Sequence, residues 1–363
     1  IMLNDVETLT SEAQRQVAIC NACRYCEGYC SVFPAISAKR THDGKDMLHL
    51  ANLCHNCRGC YYACQYIEPH EFALNLPQIL SDVRHASWIE YARPKWLARI
   101  FAQNGLSMLL GALIAVAVIS MAISINPARE GQGFYQFLPH NVMVAIFAPA
   151  FVLPLIWAFL SLKSYWRDVG GSSIKWKHIV HATQSAATLK NLKGGHGLGC
   201  NFEKEDRFSS ARRHAHHAVF YGFLLCFAST SVATIMHYVL SWPAPYPLLS
   251  LPKILGIAGG VLLSVGAPSL LWLKLKSDRS LGSSQTWNGD LAFVMITGLT
   301  GFTGLMLYGA TGTNWVPFLL ALHLGIVLLF FLTLPFSKMM HGFFRILSLI
   351  KDAQDKDKST QNT

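Results

Sequence analysis

Eight of the ten cysteines fall into two identical runs: Cys20, Cys23, Cys26 and Cys30, then Cys54, Cys57, Cys60 and Cys64. Each reads C-x-x-C-x-x-C-x-x-x-C, the spacing that holds cubic four-iron four-sulfur clusters. A cube of iron and sulfide takes three thiolates from one tight turn and a fourth from a segment approaching its opposite face. Two separated runs meet that demand by exchanging their last cysteines. One [4Fe-4S] cluster is therefore expected on Cys20, Cys23, Cys26 and Cys64, and the other on Cys54, Cys57, Cys60 and Cys30. Zinc would call for paired C-x-x-C knuckles without a third cysteine at the same step. A disulfide framework belongs to an oxidising compartment, against the topology argued below. The proline that usually follows such a run is absent, with Pro34 four residues after Cys30 and Pro69 five after Cys64. That departure bears on the backbone around the clusters more than on the clusters.

Imidazole is the second candidate ligand. His216, His217 and His237 bracket one apolar stretch, and His323 and His341 bracket another. Two imidazoles on opposite faces of one iron hold haem b between helices, and ionisable residues in apolar stretches mark function. Histidines at such ends also sit among lipid headgroups, so the assignment depends on how helices place the rings.

The elements that must do so are apolar. Of 363 residues 52% are hydrophobic and 14% charged, the composition of a membrane protein. Six segments, Leu106–Ile125, Val142–Leu162, Ala218–Leu240, Ile254–Leu273, Leu291–Tyr308 and Val316–Pro335, are each long enough to cross a bilayer. Pro149, Pro154 and Pro268 are tolerated where neighbouring helices resatisfy the backbone. Basic residues crowd residues 163–213, Lys204 among them, and recur at Lys274, Lys276 and Arg279; the opposite loops hold Arg129, with Lys253 at a span edge. Positive-inside bias then places the cysteine region, the long loop and the C-terminus in the cytoplasm, with the chain in the bacterial inner membrane. The net charge of +10 reads as a topology signal and not as nucleic-acid binding. The polar residues before Cys20 show no cleaved leader.

The expected architecture is all-α. Residues 1–94 form a two-cluster ferredoxin-like iron–sulfur domain, 95–350 a six-helix transmembrane haem b bundle with cytoplasmic loop 163–213, and 351–363 a polar tail without packed structure. Residues 31–53, with Lys39, Arg40, Lys45 and Asp46, read as a solvated link. Residues 77–90 read as a helix, and Lys95, Trp96, Arg99 and Phe101 as an interfacial anchor. The stretch Gly194-Gly195-His196-Gly197-Leu198-Gly199-Cys200 lacks the dinucleotide spacing and reads as a flexible turn.

The third and sixth spans run antiparallel, so His216 or His217 should face His341, and His237 should face His323, for one or two haems. His217 to His237 is 20 residues and His323 to His341 is 18, or about 30 and 27 Å of helix. Helical phase favours His216 over His217 and leaves both open.

The two cysteine runs precede Arg212-Arg213-His214-Ala215-His216-His217, Phe220-Tyr221-Gly222-Phe223-Leu224-Leu225, Trp242-Pro243-Ala244-Pro245-Tyr246-Pro247, Leu322-His323-Leu324 and Leu334-Pro335-Phe336-Ser337-Lys338. With these motifs in this order the chain resembles, from about residue 18 to 350, the tricarballylate utilisation protein B (TcuB, CitB) family. The resemblance implies a membrane protein that reoxidises the reduced flavin of a partner FAD-containing, TcuA-like dehydrogenase and passes electrons toward membrane quinone. In the related CobZ the flavoprotein and membrane halves are fused; nothing in this chain matches the flavoprotein half. The alternative is a haem-dependent oxidoreductase acting directly on a small molecule, which two histidines on one iron would obstruct by leaving no open position. A transporter with a redox sensor fits least, since the spans carry few charges and no evident inverted repeat.

Overall fold

The computed structural model describes residues 3–103, 105–125, 133–194, 197–202 and 207–361. Arg129, Gly195, His196 and Lys204 lie outside them. Among the described residues the elements are helices and no named strand occurs. They are α1 (Leu3–Cys23), α2 (Val32–Ser37), α3 (Gly44–Leu53), α4 (Gly59–Tyr62), α5 (Leu76–Tyr91), α6 (Lys95–Gln103), α7 (Gly105–Ile125), α8 (His140–Asp168), α9 (Trp176–Ala187), α10 (Ala211–Tyr238), α11 (Leu251–Lys276), α12 (Trp287–Gly309), α13 (Val316–Thr333) and α14 (Met340–Gln361).

Helices α1, α2, α3 and α5 enclose a small core of Val17, Phe33, Ile36, Met47, Leu50, Leu80 and Val83. Residues 31–53 are thus not a solvated link. Met47, Leu50 and Leu53 recur at helical spacing between the charges, and Asp43 and Asp46 cap α3 reciprocally. Lys39, Arg40 and Lys45 are exposed, but Lys39 is paired with Asp46.

Six helices, α7, α8, α10, α11, α12 and α13, are long and apolar enough to cross a membrane. Small residues bring them together: a Cβ on Gly259 of α11 would lie 2.8 Å from the Gly222 carbonyl oxygen of α10, and one on Gly325 of α13 would lie 2.6 Å from Val116 Cα of α7. Before α7, α6 exposes Trp96 and Ile100, as an interfacial helix does.

The expected unpacked tail is instead the second half of α14. Lys351, Asp352, Ala353 and Gln354 are buried, and Leu349 and Ile350 join the core of α1, α2, α3 and α5. Asp357 pairs with Lys177 at 2.5 Å and His178 at 2.7 Å on α9. Lys351–Asp355 and Lys356–Asp352 pairs, one turn apart and 2.5 and 2.6 Å long, neutralise charge that composition alone counts as solvating. Helix α14 thereby clamps the cysteine-bearing helices to the membrane bundle.

Candidate functional site

The cysteines line two adjoining cavities. Cys20, Cys23, Cys26 and Cys64, with Cys60, surround about 250 Å³ at the end of α1. Cys30, Cys54, Cys57 and Cys60 line a tight second cavity beside it, and Phe33, Cys60, Leu76 and Pro77 border both. Cys64 of the second run thus lines the first cavity, and Cys30 of the first run lines the second. Among the described residues no set of His, Cys, Asp and Glu gathers as for a single metal ion; the thiols stand around walls instead.

Local backbone explains the turns. Arg24, Asn56 and Arg58, each between two cysteines of its run, adopt positive φ of 57°, 50° and 69°, a conformation that non-glycine residues hold only where surrounding structure enforces it. The turns aim amides at sulfur: Asn56 N donates to Cys54 Sγ and Tyr66 N to Cys64 Sγ, both at 3.4 Å, the kind of bond that tunes iron–sulfur clusters. Burial pushes the Cys20 and Cys26 thiols up to about 12, with Cys64 the next contributor to each. Burial likewise holds Cys30 and Cys60 well above the ordinary thiol range. Thiolates here need nearby positive charge. Iron would supply it, and the donor set fits two clusters.

The second cavity is also ringed by arginine. Arg84 Nη1 on α5 and Arg345 Nη2 on α14 donate to the Cys54 carbonyl at 2.5 and 2.7 Å. Arg212 on α10 donates to the carbonyls of Asn56 at 2.7 Å and His55 at 3.1 Å. Arg58 Nε holds Asn56 Oδ1 at 3.0 Å, and Arg58 and Arg212 both lie over the Phe202 ring, at 4.5 and 4.0 Å. The bonds of Arg84, Arg212 and Arg345 to this loop end on carbonyls rather than carboxylates, so their positive charge lies beside the loop while Arg58 lines the cavity itself.

Two of those arginines, Arg212 and Arg345, belong to the helices that carry the inner histidines. One turn beyond Arg212 is His216, and one turn before Arg345 is His341; their rings lie 6.0 Å apart between centroids, at 81°. Two imidazoles binding one metal through nitrogens about 2 Å away place their centroids roughly 6 Å apart. His341 Nδ1 bonds to the Lys338 carbonyl, fixing the ring and leaving Nε2 for a metal. His216 Nδ1 is buried without a partner. His217 turns to Tyr221, at 5.8 Å.

The outer histidines are arranged differently. His237 stacks on His140 at 4.3 Å and 29°, and His140 Nε2 bonds Tyr238 Oη at 2.9 Å. His323 packs on α12, its Nδ1 3.1 Å from Thr303 Oγ1 and its Cε1 3.0 Å from where a Gly304 Cβ would stand. His237 occupies the last turn of α10, whereas His323 lies two turns, about 10 Å, inside α13. The residue ladder treated α13 and α14 as one rod; the 3₁₀ turn Leu334–Phe336 breaks it.

Three contributors were not legible as site residues. Cys200 packs with Cys57 at the second cavity's wall, beside Leu189 and Leu192, its Sγ donating to the Leu192 carbonyl at 3.4 Å, and the Asn201 amide donates to the Cys57 carbonyl at 3.0 Å; the glycine-rich stretch leads into this contact. His140 and the arginine ring likewise gave no spacing signal, since each comes from a different helix.

Residues 13–90 match the family described as citrate utilization protein B Fer4-like domain, and residues 92–362 that described as citrate utilization protein B. A curated relative, citrate utilization protein B of Escherichia coli, is 42% identical over 357 residues, which is 97% of this chain and 94% of the relative. No solved structure matches. With both matches falling in chain order on the cysteine-bearing helices and then on the membrane bundle, the chain belongs to the citrate utilization protein B family.

Proposed function

We propose that the protein is a multi-pass membrane electron carrier that accepts electrons from the reduced flavin of a partner FAD dehydrogenase of the tricarballylate dehydrogenase type. Two [4Fe-4S] clusters and haem b, when bound, would supply the one-electron steps between that flavin and membrane quinone. The observation that carries this reading is the contact between Arg212 and Arg345 and the Cys54–Asn56 loop, which joins the second thiol cavity to the helices bearing His216 and His341. Cys20, Cys23, Cys26 and Cys64 would hold the cluster nearer solvent, and Cys30, Cys54, Cys57 and Cys60 the one nearer the membrane. Each cluster shuttles single electrons. The chain's part is to fix thiols, exclude water and place positive charge.

One haem b between His216 and His341 is the reading that the ring geometry supports. His237 and His323 remain candidates for a second haem only if the outer ends of α10 and α13 rearrange. Residues 1–94 would act as the iron–sulfur domain and residues 95–350 as the bundle, with the cysteines and C-terminus cytoplasmic by charge bias. An anaerobic redox titration of purified protein, followed by visible and EPR spectra, tests this. Two cluster signals and one or two low-spin haem signals are expected; zinc in place of iron overturns the relay.

A further inference from the structure

Where α5, α6, α12 and the α13–α14 turn meet, a narrow cleft is lined by the rings of Trp88, Phe101 and Phe336 and by His85, Asp290 and Lys338. The surroundings are amphipathic in an ordered way. Phe101 and Phe336 are nearly parallel, 6.5 Å between centroids and 22° between planes. With Trp88 they form an apolar wall against which a flat ring can stack once the cleft spreads. Free space in the cleft as it stands is about 20 Å³; the spreading, not a preformed void, must admit the ring.

The polar end of the cleft has spare hydrogen-bonding capacity. His85 is 3% exposed and its Nε2 is buried with no partner, which is costly unless something else bonds it. Burial holds its pKa down to about 4, so the ring is neutral and can donate or accept. Lys338 Nζ meets Asp290 Oδ2 at 2.5 Å, as Lys274 does at 2.6 Å, and an ammonium spending one donor there keeps two more. Lys338 is also the residue whose carbonyl holds His341, so the cleft adjoins the inner histidine pair. On its other side α6 exposes Trp96 and Ile100, and α7 exposes Leu106, Leu109 and Leu113, an apolar exit into lipid for a long tail.

We infer that this cleft binds the head ring of an isoprenoid quinone, with His85 and Lys338 on its carbonyl oxygens and its tail leaving between α6 and α7. The inference rests on the quinone acceptor proposed above and adds its place. In the balanced step one quinone takes two electrons, delivered singly by the relay, and two protons from the aqueous side bearing the cysteines, and leaves as quinol. No bond to the protein forms.

The test uses detergent-purified, cofactor-loaded protein reduced with dithionite, separated from excess reductant, and mixed in stopped flow with ubiquinone-1 or with ferricyanide. In H85Q the half-saturating ubiquinone-1 concentration should rise about tenfold, the worth of one hydrogen bond to a buried group, while reoxidation by ferricyanide and the cluster and haem spectra stay as in the parent. T286V, which removes a hydroxyl from the lining of the cleft, should raise it less. Equal ubiquinone-1 kinetics in parent and both variants would overturn the cleft and leave the quinone reading intact. A parent that ferricyanide reoxidises and ubiquinone-1 does not would instead overturn the quinone acceptor itself. If H85Q does not retain its spectra, T286V and competition by a tail-less benzoquinone decide, and lack of effect in both counts against the cleft.

Discussion

The two thiol cavities have the same ligand spacing and opposite surroundings. The first is roomy, Cys23 is exposed, and Tyr25 beside it is 70% exposed. The second is tight, Cys57 is buried, and guanidinium groups from α5, α10 and α14 reach its loop. Water and protein charge act on a cluster's potential separately from its ligands. The sequence repeat therefore gives two similar thiol sets, whereas the fold makes them unequal: the proposed relay would meet a soluble donor at the first and the membrane helices at the second. Fixed positive charge favours the more negative, reduced state of a cluster, so in the proposed relay the arginines would raise the potential of a cluster held in the second cavity relative to the first.

The largest expected effect comes from breaking the second cavity. Cys57→Ala should halve the iron and sulfide per chain, leave haem absorbance in place, and slow haem reduction by reduced flavoprotein at least about a hundredfold. Loss of a positioned relay group costs several kcal/mol at 1.36 kcal/mol per tenfold. Cys23→Ala should also halve the iron but act from the solvent side. If haem reduction persists undiminished in Cys57→Ala, the order of the two cavities is wrong.

Next in size is the handover to the histidines. His216→Ala and His341→Ala should each abolish the same haem signal, because their rings face one another, whereas His217→Ala, whose ring faces Tyr221, should keep it. Difference spectra of dithionite-reduced membranes measure this. Equal losses in His216→Ala and His217→Ala would break the assignment.

A smaller and more selective effect is expected from Arg345→Gln. Removing one charge beside the Cys54 carbonyl should lower the midpoint potential of one cluster by roughly 60 mV, a tenfold change for a one-electron couple, and leave the other cluster unmoved. Parallel EPR titrations show whether one signal shifts or both do. A uniform shift would mean that the arginines act on the whole domain and not on the second cavity.

How much of this was open to sequence reading depends on whether the signal lay within one segment. Cysteine spacing is local, so the exchange of Cys30 and Cys64 could be expected before any fold. The six spans follow from hydrophobic length, and counting along two helices sets His216 or His217 opposite His341 and leaves both open. What escaped depended on distant segments meeting. Arg84, Arg212 and Arg345 lie far apart in the chain and converge on one loop; Cys200 reaches Cys57 from the far side of two spans; His140 meets His237 where α8 and α10 end. The packed α14 was missed for another reason. Its charges look solvating as composition, but they pair one turn apart and with α9, and only helical phase reveals that.

The smallest expected effect concerns the first cavity as a docking face. Asn21, one residue after Cys20, donates to the carbonyls of Lys39 at 2.8 Å and Arg40 at 3.4 Å, and Arg24 Nε donates to the Asn21 carbonyl at 3.1 Å, which gathers Arg24, Lys39 and Arg40 near the end of α1. A partner flavoprotein with an acidic rim would be steered to it. The charge is partly spent within the chain, because Lys39 is paired with Asp46, and exposed charges contribute little individually. The bimolecular rate of cluster reduction in stopped flow should consequently fall only about threefold to tenfold between low and physiological salt, as screening shortens to about 8 Å. Arg40→Gln should flatten that dependence, and Arg345→Gln, at the closed second cavity, should leave it unchanged. A salt-independent rate would remove charge steering from the first cavity and leave its exposure as the reason for docking there. A salt slope altered equally by both variants would mean that the two cavities are not electrostatically distinct, and the comparison would fail at its base.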